Sequence, residues 1–152
     1  MLKKLFPHDL TTYKGQGLAK WIFILLTAVT LFRSLEHVFA PDGGAQTIAT
    51  IPLDTYPAGA AAAVILIFSF WGLSQLLIGL TYLVVIWRYP GFIPFMYLLM
   101  IVEYGMRIYL GTVKPIETAG TAPGGVANYI VLPLAAVMLV LSLWPLRLKK
   151  AA

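Results

Sequence analysis

The sequence from Ala58 to Trp87 reads AGAAAAVILIFSFWGLSQLLIGLTYLVVIW, and it decides the class of fold. This stretch contains no Asp, Glu, Lys or Arg. It is longer than the ~20 apolar residues that a helix needs to cross the hydrocarbon core of a bilayer. Backbone polar groups in lipid must be satisfied by the protein itself, and a helix does so within one segment. The stretch therefore predicts a transmembrane helix that tilts or emerges from the bilayer at one end.

The whole chain has the composition of a membrane protein. Of its 152 residues, 60% are hydrophobic and 11% are charged, with a mean hydropathy of +0.85. Soluble domains average about half apolar and about a quarter charged residues. We expect a single all-α domain over residues 1–152, an integral membrane bundle of four transmembrane helices. The predicted helices cover about 21–40, 58–87, 92–110 and 128–146, and residues 1–19 are predicted to lie at the membrane interface.

Lysines and arginines are distributed unevenly between the two predicted membrane faces. Positive charge in short flanking segments favours the cytoplasm. We therefore predict both termini in the cytoplasm, the loops 41–57 and 112–126 outside, and a multi-pass location in a bacterial plasma (inner) membrane. One face receives only Lys114, and the other receives Lys3, Lys4, Lys14, Lys20, Arg88, Arg147, Lys149 and Lys150.

The same distribution argues against a nucleic-acid partner, although the formal net charge is +5. The basic residues mark segment ends instead of forming a soluble basic face with interleaved aromatic residues. The chain has no cysteine, which excludes thiolate metal sites and cysteine-ligated iron–sulfur clusters within it. His37 is the only histidine in a predicted span, so a haem held by two histidines within one chain is also excluded. We predict no cofactor.

Acidic and basic side chains within the predicted spans mark the candidate site. A charge at mid-bilayer costs roughly 2.5 to 3.5 kcal/mol on insertion scales, so such residues indicate a functional site by default. At ~1.5 Å of rise per residue, those in the first three spans share one layer between the bilayer centre and the outer surface. We call this set the polar cluster, and it comprises Arg33, Glu36, His37, Gln75, Glu103 and Arg107.

Several interpretations of the polar cluster are open. It could be a charge-neutral network that fixes the register of three helices, with Glu103 paired either to Arg107 or to Arg33. It could line a polar pocket open to the outer face, where a small anion, a lipid headgroup, a quinone-like ring or a proton is handled. It could also face a partner protein. The surplus of donors and acceptors favours the pocket, because lipid offers them no partners.

Helix faces are predicted from spacing. A stripe recurs at helical intervals along the second span, with Trp71 one turn from Gln75, and it comprises Phe68, Gly72, Gln75, Gly79 and Tyr82. Glycines permit close backbone approach, so this face should meet the first and third helices. The fourth span has no ionisable residue, and we assign it to lipid-facing packing or to a subunit contact. Gly124-Gly125 before that span could present backbone N–H groups to an anion. Because no strand and no phosphate-loop lysine accompany it, we interpret it as a turn into the span.

Catalytic motifs are not found in the sequence. It has no nucleophile elbow, phosphate-binding loop, metalloprotease motif or dinucleotide fingerprint. A metal site formed by Glu36, His37 and Glu103 would compete with two arginines, so we assign no metal ligands. Enzymatic activity is therefore unsupported, and no catalytic residue is assigned.

The chain resembles, in architecture, small bacterial four-helix membrane proteins of the DoxX-like group. The resemblance lies in the charged end of the first helix at Arg33-Ser-Leu-Glu36-His37, in Trp71-Gly72-Leu-Ser-Gln75 on the second, and in an arginine late in the third. It implies an accessory component of a membrane redox or stress system. No functional residue is carried over from it.

Two functional hypotheses follow. The first is a small membrane accessory or ligand-binding subunit whose ligand is a lipid, a quinone or a small anion. The second is an oligomeric transporter or channel component that moves protons or a small anion through Glu103, Arg107 and His37. Because four helices rarely enclose a transport route, the second hypothesis requires a homo-oligomer, and either hypothesis allows a larger membrane complex.

Overall fold

The computed structural model of the protein describes residues 2–144. Within these residues the regular secondary structure consists of helices joined by loops, without strands. Single 3-10 turns cover Leu53–Thr55 and Pro90–Phe92. The α-helices are α1 (Leu2–Leu5), α2 (Gly17–Phe39), α3 (Ala58–Arg88), α4 (Ile93–Val113) and α5 (Pro123–Leu143).

Four of these helices, α2 to α5, are long and apolar enough to cross a membrane, which confirms the predicted number of spans for residues 2–144. Their outward faces carry large apolar side chains. Phe32, Ile67 and Ile130 are 68%, 64% and 61% exposed. A continuous apolar exterior of this kind is rare on soluble monomers. The architecture is that of a multi-pass membrane protein.

Helix boundaries agree with the predicted spans to within a few residues, except at the start of α5. This helix begins at Pro123 and not at about residue 128. Proline fits the first helical position because its missing N–H would have no intrahelical partner there. The glycines at 124 and 125, predicted to form a turn, therefore belong to the first turn of α5. The predicted end at 146 lies outside the described residues, and α5 ends at Leu143.

The N-terminal segment folds across one end of the bundle, which we call the basic end. Gly91 N–H donates to the carbonyl of Leu10 over 2.8 Å, and Gln16 N–H donates to the carbonyl of Leu141 over 3.1 Å. The segment predicted to be interfacial thus packs on the α3–α4 connection and on the end of α5. The start of α2 and the end of α5 consequently lie at the same end. Arg147, Lys149 and Lys150 lie outside the described residues.

The contact between α2 and α3 is close because glycines line it. A Cβ atom at Gly72 would lie 2.6 Å from His37 Cβ, and one at Gly79 would lie 2.7 Å from Leu31 Cδ2. The predicted face of α3 therefore does meet the first transmembrane helix. Its contact with α4 runs through the side chain of Gln75.

The apolar core lies toward the basic end, where all four long helices contribute side chains. The ring of Phe23 lies 5.2 Å from that of Tyr82 and 5.6 Å from that of Tyr97. Ala135 and Met138 of α5 are buried in the same core. The assignment of this helix to lipid or to a subunit contact is thus wrong for its inner face.

The opposite end, which we call the loop end, is closed by a compact turn after α2. The Asp42 carboxylate accepts hydrogen bonds from the N–H groups of Gly44, Gln46 and Thr47 at 2.9, 3.0 and 2.7 Å. Burial raises the pKa of Asp42, but the hydrogen bonds from Thr47, Gly44 and Gln46 outweigh it, and the pKa is lowered overall. Positive φ angles of 60° and 71° at Gly43 and Gly44 let the chain turn back over α2.

Candidate ligand-binding site

A cavity of about 480 Å³ lies between the long helices near the loop end. We call it the arginine cavity. Its walls come from α2, α3 and α4, from the first turns of α5, and from the segment after the Asp42 turn. It is lined by Val29, Arg33, His37, Ile48, Ala49, Phe68, Trp71, Arg107, Leu110, Ala122, Pro123, Gly124, Gly125, Ala127 and Asn128.

A hydrogen-bonded chain of side chains joins three helices beside this cavity. Arg33 on α2 donates to Gln75 Oε1 over 3.0 Å, and Gln75 on α3 donates through Nε2 to Glu103 Oε1 over 2.7 Å. Arg107 donates to the same carboxylate oxygen, with its Nε at 3.2 Å and a second contact from its terminal nitrogen. We call this chain the arginine network. Glu103 thus pairs with Arg107 on its own helix and reaches Arg33 only through Gln75.

The arginine network leaves the cavity wall positively charged. Arg33 and Arg107 line the cavity, whereas Glu103 lies behind them and no carboxylate belongs to the described lining. Two cations and one paired carboxylate give the arginine network a net charge of one positive unit. Within a membrane such an excess is costly unless an anion or water compensates it.

Trp71 holds the cationic side chains in place through its ring. The guanidinium carbons of Arg33 and Arg107 lie 5.6 and 4.9 Å from the ring centroid, within the range of cation–π attraction. The His37 ring lies 4.7 Å away from the same indole. Trp71 was predicted only to lie one turn from Gln75, because its spacing alone does not reveal stacking on side chains of other helices.

His37 is fixed in one tautomer by the loop end. Its Nδ1 lies 2.8 Å from the carbonyl oxygen of Gly43. A carbonyl oxygen only accepts hydrogen bonds, so Nδ1 carries the proton and Nε2 is the acceptor in the neutral ring. The side chain is 3% exposed and lies against Phe68 and Trp71. His37 therefore couples the closing turn to the cavity wall.

Two polar atoms that belong to cavity-lining residues are buried without a partner among the described residues: Arg33 Nε and Asn128 Oδ1. Buried polar groups are nearly always hydrogen-bonded, so each such exception needs an explanation. Asn128 was predicted only as the start of the fourth span. The early start of α5 places it near the cavity, and that start could not be read from hydropathy.

Glu36 does not join the arginine network. Its side chain is partly exposed, lies outside the cavity lining, and has no hydrogen bond or ion pair with the described residues. On α2 it is ~100° around the helix from His37. The close packing of His37 on Gly72 directs that side of the helix to α3. Of the six residues of the polar cluster, the network and the cavity wall bring together Arg33, His37, Gln75, Glu103 and Arg107.

Metal-ligating groups are not assembled at this site. Within residues 2–144, no three His, Asp or Glu side chains lie close enough to hold a metal ion. In particular, Glu36 and Glu103 do not converge on His37. The chemistry that the arrangement offers is hydrogen-bond donation and positive charge at one end of an apolar cavity.

Comparison with known proteins finds no family model that matches the chain, and no match among curated proteins or solved structures.

Proposed function

We propose that this protein is a small bacterial inner-membrane protein that binds an amphiphilic ligand in the arginine cavity, as a ligand-binding or accessory subunit. The single observation that carries the proposal is the two-sided lining of that cavity. Arg33, Arg107 and Asn128 contribute polar groups to the lining. Most of the remaining lining is apolar and includes Val29 and Phe68. Ligand sites are typically mostly apolar, with a few polar groups that fix orientation.

The size of the cavity supports the same proposal. Its volume of about 480 Å³ lies within the range of ~300 to 1,000 Å³ that is usual for small-molecule sites. A network that served only to fix helix register would satisfy its own polar atoms. Here Gln75 and Glu103 are internally paired, whereas Arg33 Nε is buried and unpartnered among the described residues. The proposal does not rest on the predicted resemblance to DoxX-like proteins.

The position of the cavity agrees with access from the membrane. Val29 and Leu110 line the cavity and are also 53% and 44% exposed on the bundle surface. A ligand dissolved in the bilayer can therefore reach the arginines without crossing the core. With the predicted orientation, both termini in the cytoplasm, the cavity belongs to the outer leaflet.

Native mass spectrometry tests the proposal. The protein is reconstituted with bacterial polar lipid, released into mild detergent and compared with a Gly124→Leu variant. A Cβ at Gly124 meets no atom within 4 Å, so the leucine can enter the cavity without displacing backbone. Gly59→Leu is the matched control, because Gly59 also lies in the first turn of a long helix, faces open space and is not part of the lining.

We expect a bound molecule of defined mass in the wild type and in Gly59→Leu, and its loss in Gly124→Leu. Identical spectra for all three proteins, with only nonspecific lipid adducts, would contradict the proposal.

A further inference from the structure

The charge balance of the arginine cavity identifies the kind of headgroup that it accepts. We infer that the ligand carries a single negative charge on an oxygen-based headgroup, a carboxylate or a phosphodiester, attached to an apolar chain. This inference rests on the proposed function. The headgroup binds between Arg33 and Arg107, and the chain leaves past Val29 toward the bilayer centre.

The first step is electrostatic. Arg107 is paired with Glu103, and Gln75 lies between that carboxylate and Arg33. One positive charge is therefore left over at the cavity wall. A monoanion neutralises it, a cation is repelled, a neutral headgroup leaves it uncompensated, and a dianion reverses its sign. In a low-dielectric site these differences are large.

The second step is the supply of donors. Arg33 uses a terminal nitrogen for Gln75, and its Nε has no partner among the described residues. A guanidinium holds its N–H groups in a rigid fork that matches carboxylate and phosphate oxygens. Asn128 adds the two N–H donors of its amide nitrogen, whereas its buried Oδ1 only accepts. These N–H groups can donate hydrogen bonds to an oxyanion, whereas an apolar ring has no atom that accepts them.

The third step is the direction of the apolar chain. Val29 lies one turn before Arg33 on α2, about 6 Å closer to the basic end. It lines the cavity and is 53% exposed, so the cavity has an apolar opening deeper in the membrane than its charged wall. An amphiphile in a leaflet has the matching orientation, since its headgroup is outermost and its chain is directed to the bilayer centre.

Fluorescence quenching of Trp71 tests this inference. The other tryptophans, Trp21, Trp87 and Trp144, are 70%, 84% and 59% exposed. Their replacement by phenylalanine leaves Trp71 as the sole indole, next to the cavity. The protein is placed in phosphatidylcholine nanodiscs and titrated with a bromine-labelled long-chain carboxylate at about pH 9, where the acid is ionised. Its methyl ester is titrated in parallel.

We expect the carboxylate to reach half-maximal quenching at a concentration at least about tenfold lower than the ester, as charge-assisted hydrogen bonds imply. Arg33→Gln should abolish this preference, and Arg33→Lys should restore part of it. Arg88→Gln removes the same charge from an exposed position at the basic end, so it should leave the preference intact. Loss of the preference in Arg88→Gln would contradict the assignment to Arg33.

The two sources of the headgroup are distinguished by a second pair of probes, bromine-labelled phosphatidylglycerol and phosphatidylcholine. Stronger quenching by phosphatidylglycerol than by the carboxylate identifies a diacyl phosphodiester lipid, and the reverse identifies a single-chain acid. A diacyl monoanion is supported only when phosphatidylglycerol also quenches more strongly than the zwitterionic phosphatidylcholine, and equal quenching by these two lipids would contradict it.

Failure of this inference can be told apart from failure of the proposed function. Equal quenching by acid and ester, lost for both in Gly124→Leu, would overturn the monoanion while leaving a ligand cavity. Quenching that is equally weak for all probes, and the same in Gly124→Leu as in the parent protein, would overturn both.

Discussion

Gln75 donates a hydrogen bond of 2.7 Å to Glu103, and this contact connects α3 to α4 in the middle of the bundle. The same amide accepts a hydrogen bond from Arg33 on α2. One uncharged side chain, 4% exposed, thus joins two ionisable residues on different helices. The arrangement spaces the two arginines around a single carboxylate and produces the charge excess of the cavity.

Replacement of Gln75 should weaken the bundle. In Gln75→Leu, both Arg33 and Glu103 lose a hydrogen-bond partner, and hydrogen bonds to charged groups contribute about 1.5 to 3 kcal/mol. We expect the free energy of unfolding in mixed micelles, followed by circular dichroism, to fall by at least the amount for one such bond. Gln46→Leu is the control, because Gln46 is exposed at the loop end. Equal stability of the two variants would show that the network does not hold the helices.

Addition of one methyl group at Gly72 should separate α2 from α3. Its Cβ would lie 2.6 Å from His37 Cβ and 3.0 Å from the His37 carbonyl carbon, so backbone must move. Overpacking of this kind costs about 1 to 3 kcal/mol. Gly105→Ala is the matched control, because Gly105 is helical and its Cβ would meet nothing within 4 Å. We expect a lower unfolding temperature for Gly72→Ala and an unchanged or higher one for Gly105→Ala. A reversed order would contradict the close contact.

Order in the Asp42 turn should depend on pH. Hydrogen bonds from backbone N–H groups outweigh burial and lower the pKa of Asp42 below its ordinary value of 3.8. A lowered folded-state pKa means that the stabilisation is present above about pH 4 and is lost as the pH falls through the folded pKa. Hydrogen exchange at Gly44, Gln46 and Thr47, corrected for intrinsic rates, should therefore show constant protection from about pH 5 to 7 and a decline below about pH 4.

The variant Asp42→Asn separates the carboxylate from other acid effects. It should lower protection of this turn at neutral pH and remove the decline in acid. Asp54→Asn should change neither, because the Asp54 side chain makes no hydrogen bond with the described residues. An acid decline that persists in Asp42→Asn would assign the effect to another group.

We predict the membrane orientation from the distribution of lysine and arginine, and labelling can test it. Thr121 is exposed at the loop end, and Lys14 is exposed at the basic end. Because the chain has no cysteine, Thr121→Cys should react with an impermeant thiol reagent added to intact cells, and Lys14→Cys should react only after permeabilisation. The opposite pattern would reverse the orientation and place the arginine cavity in the inner leaflet.

The number and approximate limits of the transmembrane helices could be predicted because hydropathy and helix length are local properties of the sequence. The start of α5 could not, since the proline and two glycines at 123–125 have the composition of a turn, whereas they form the first turn of the helix. Because of that error, Asn128 was not predicted as a residue of the candidate site. The assignment of the fourth span to lipid or a subunit contact rested on its lack of ionisable residues, although Ala135 and Met138 are buried in the core.

Most of the candidate site could be predicted as a set, because charged and amide side chains inside apolar spans are rare. Its pairing could not, since helical depth places Arg33 and Arg107 equally well beside Glu103. The pairing is decided by the i,i+4 spacing within α4 and by Gln75, which lies between helices. Helical depth alone also placed Glu36 in the candidate site beside His37. The contact with Gly72 directs His37 to α3, and the Glu36 side chain remains outside the network.

Whether the arginine cavity holds an amphiphile is answered most directly by a crystal structure of the protein grown from a lipidic phase. We expect elongated non-protein density that enters past Val29 and ends in a headgroup within hydrogen-bonding distance of the Arg33 guanidinium. A Gly124→Leu crystal should lack that density. A cavity filled by the protein's own side chains, or by water alone in both crystals, would contradict the account.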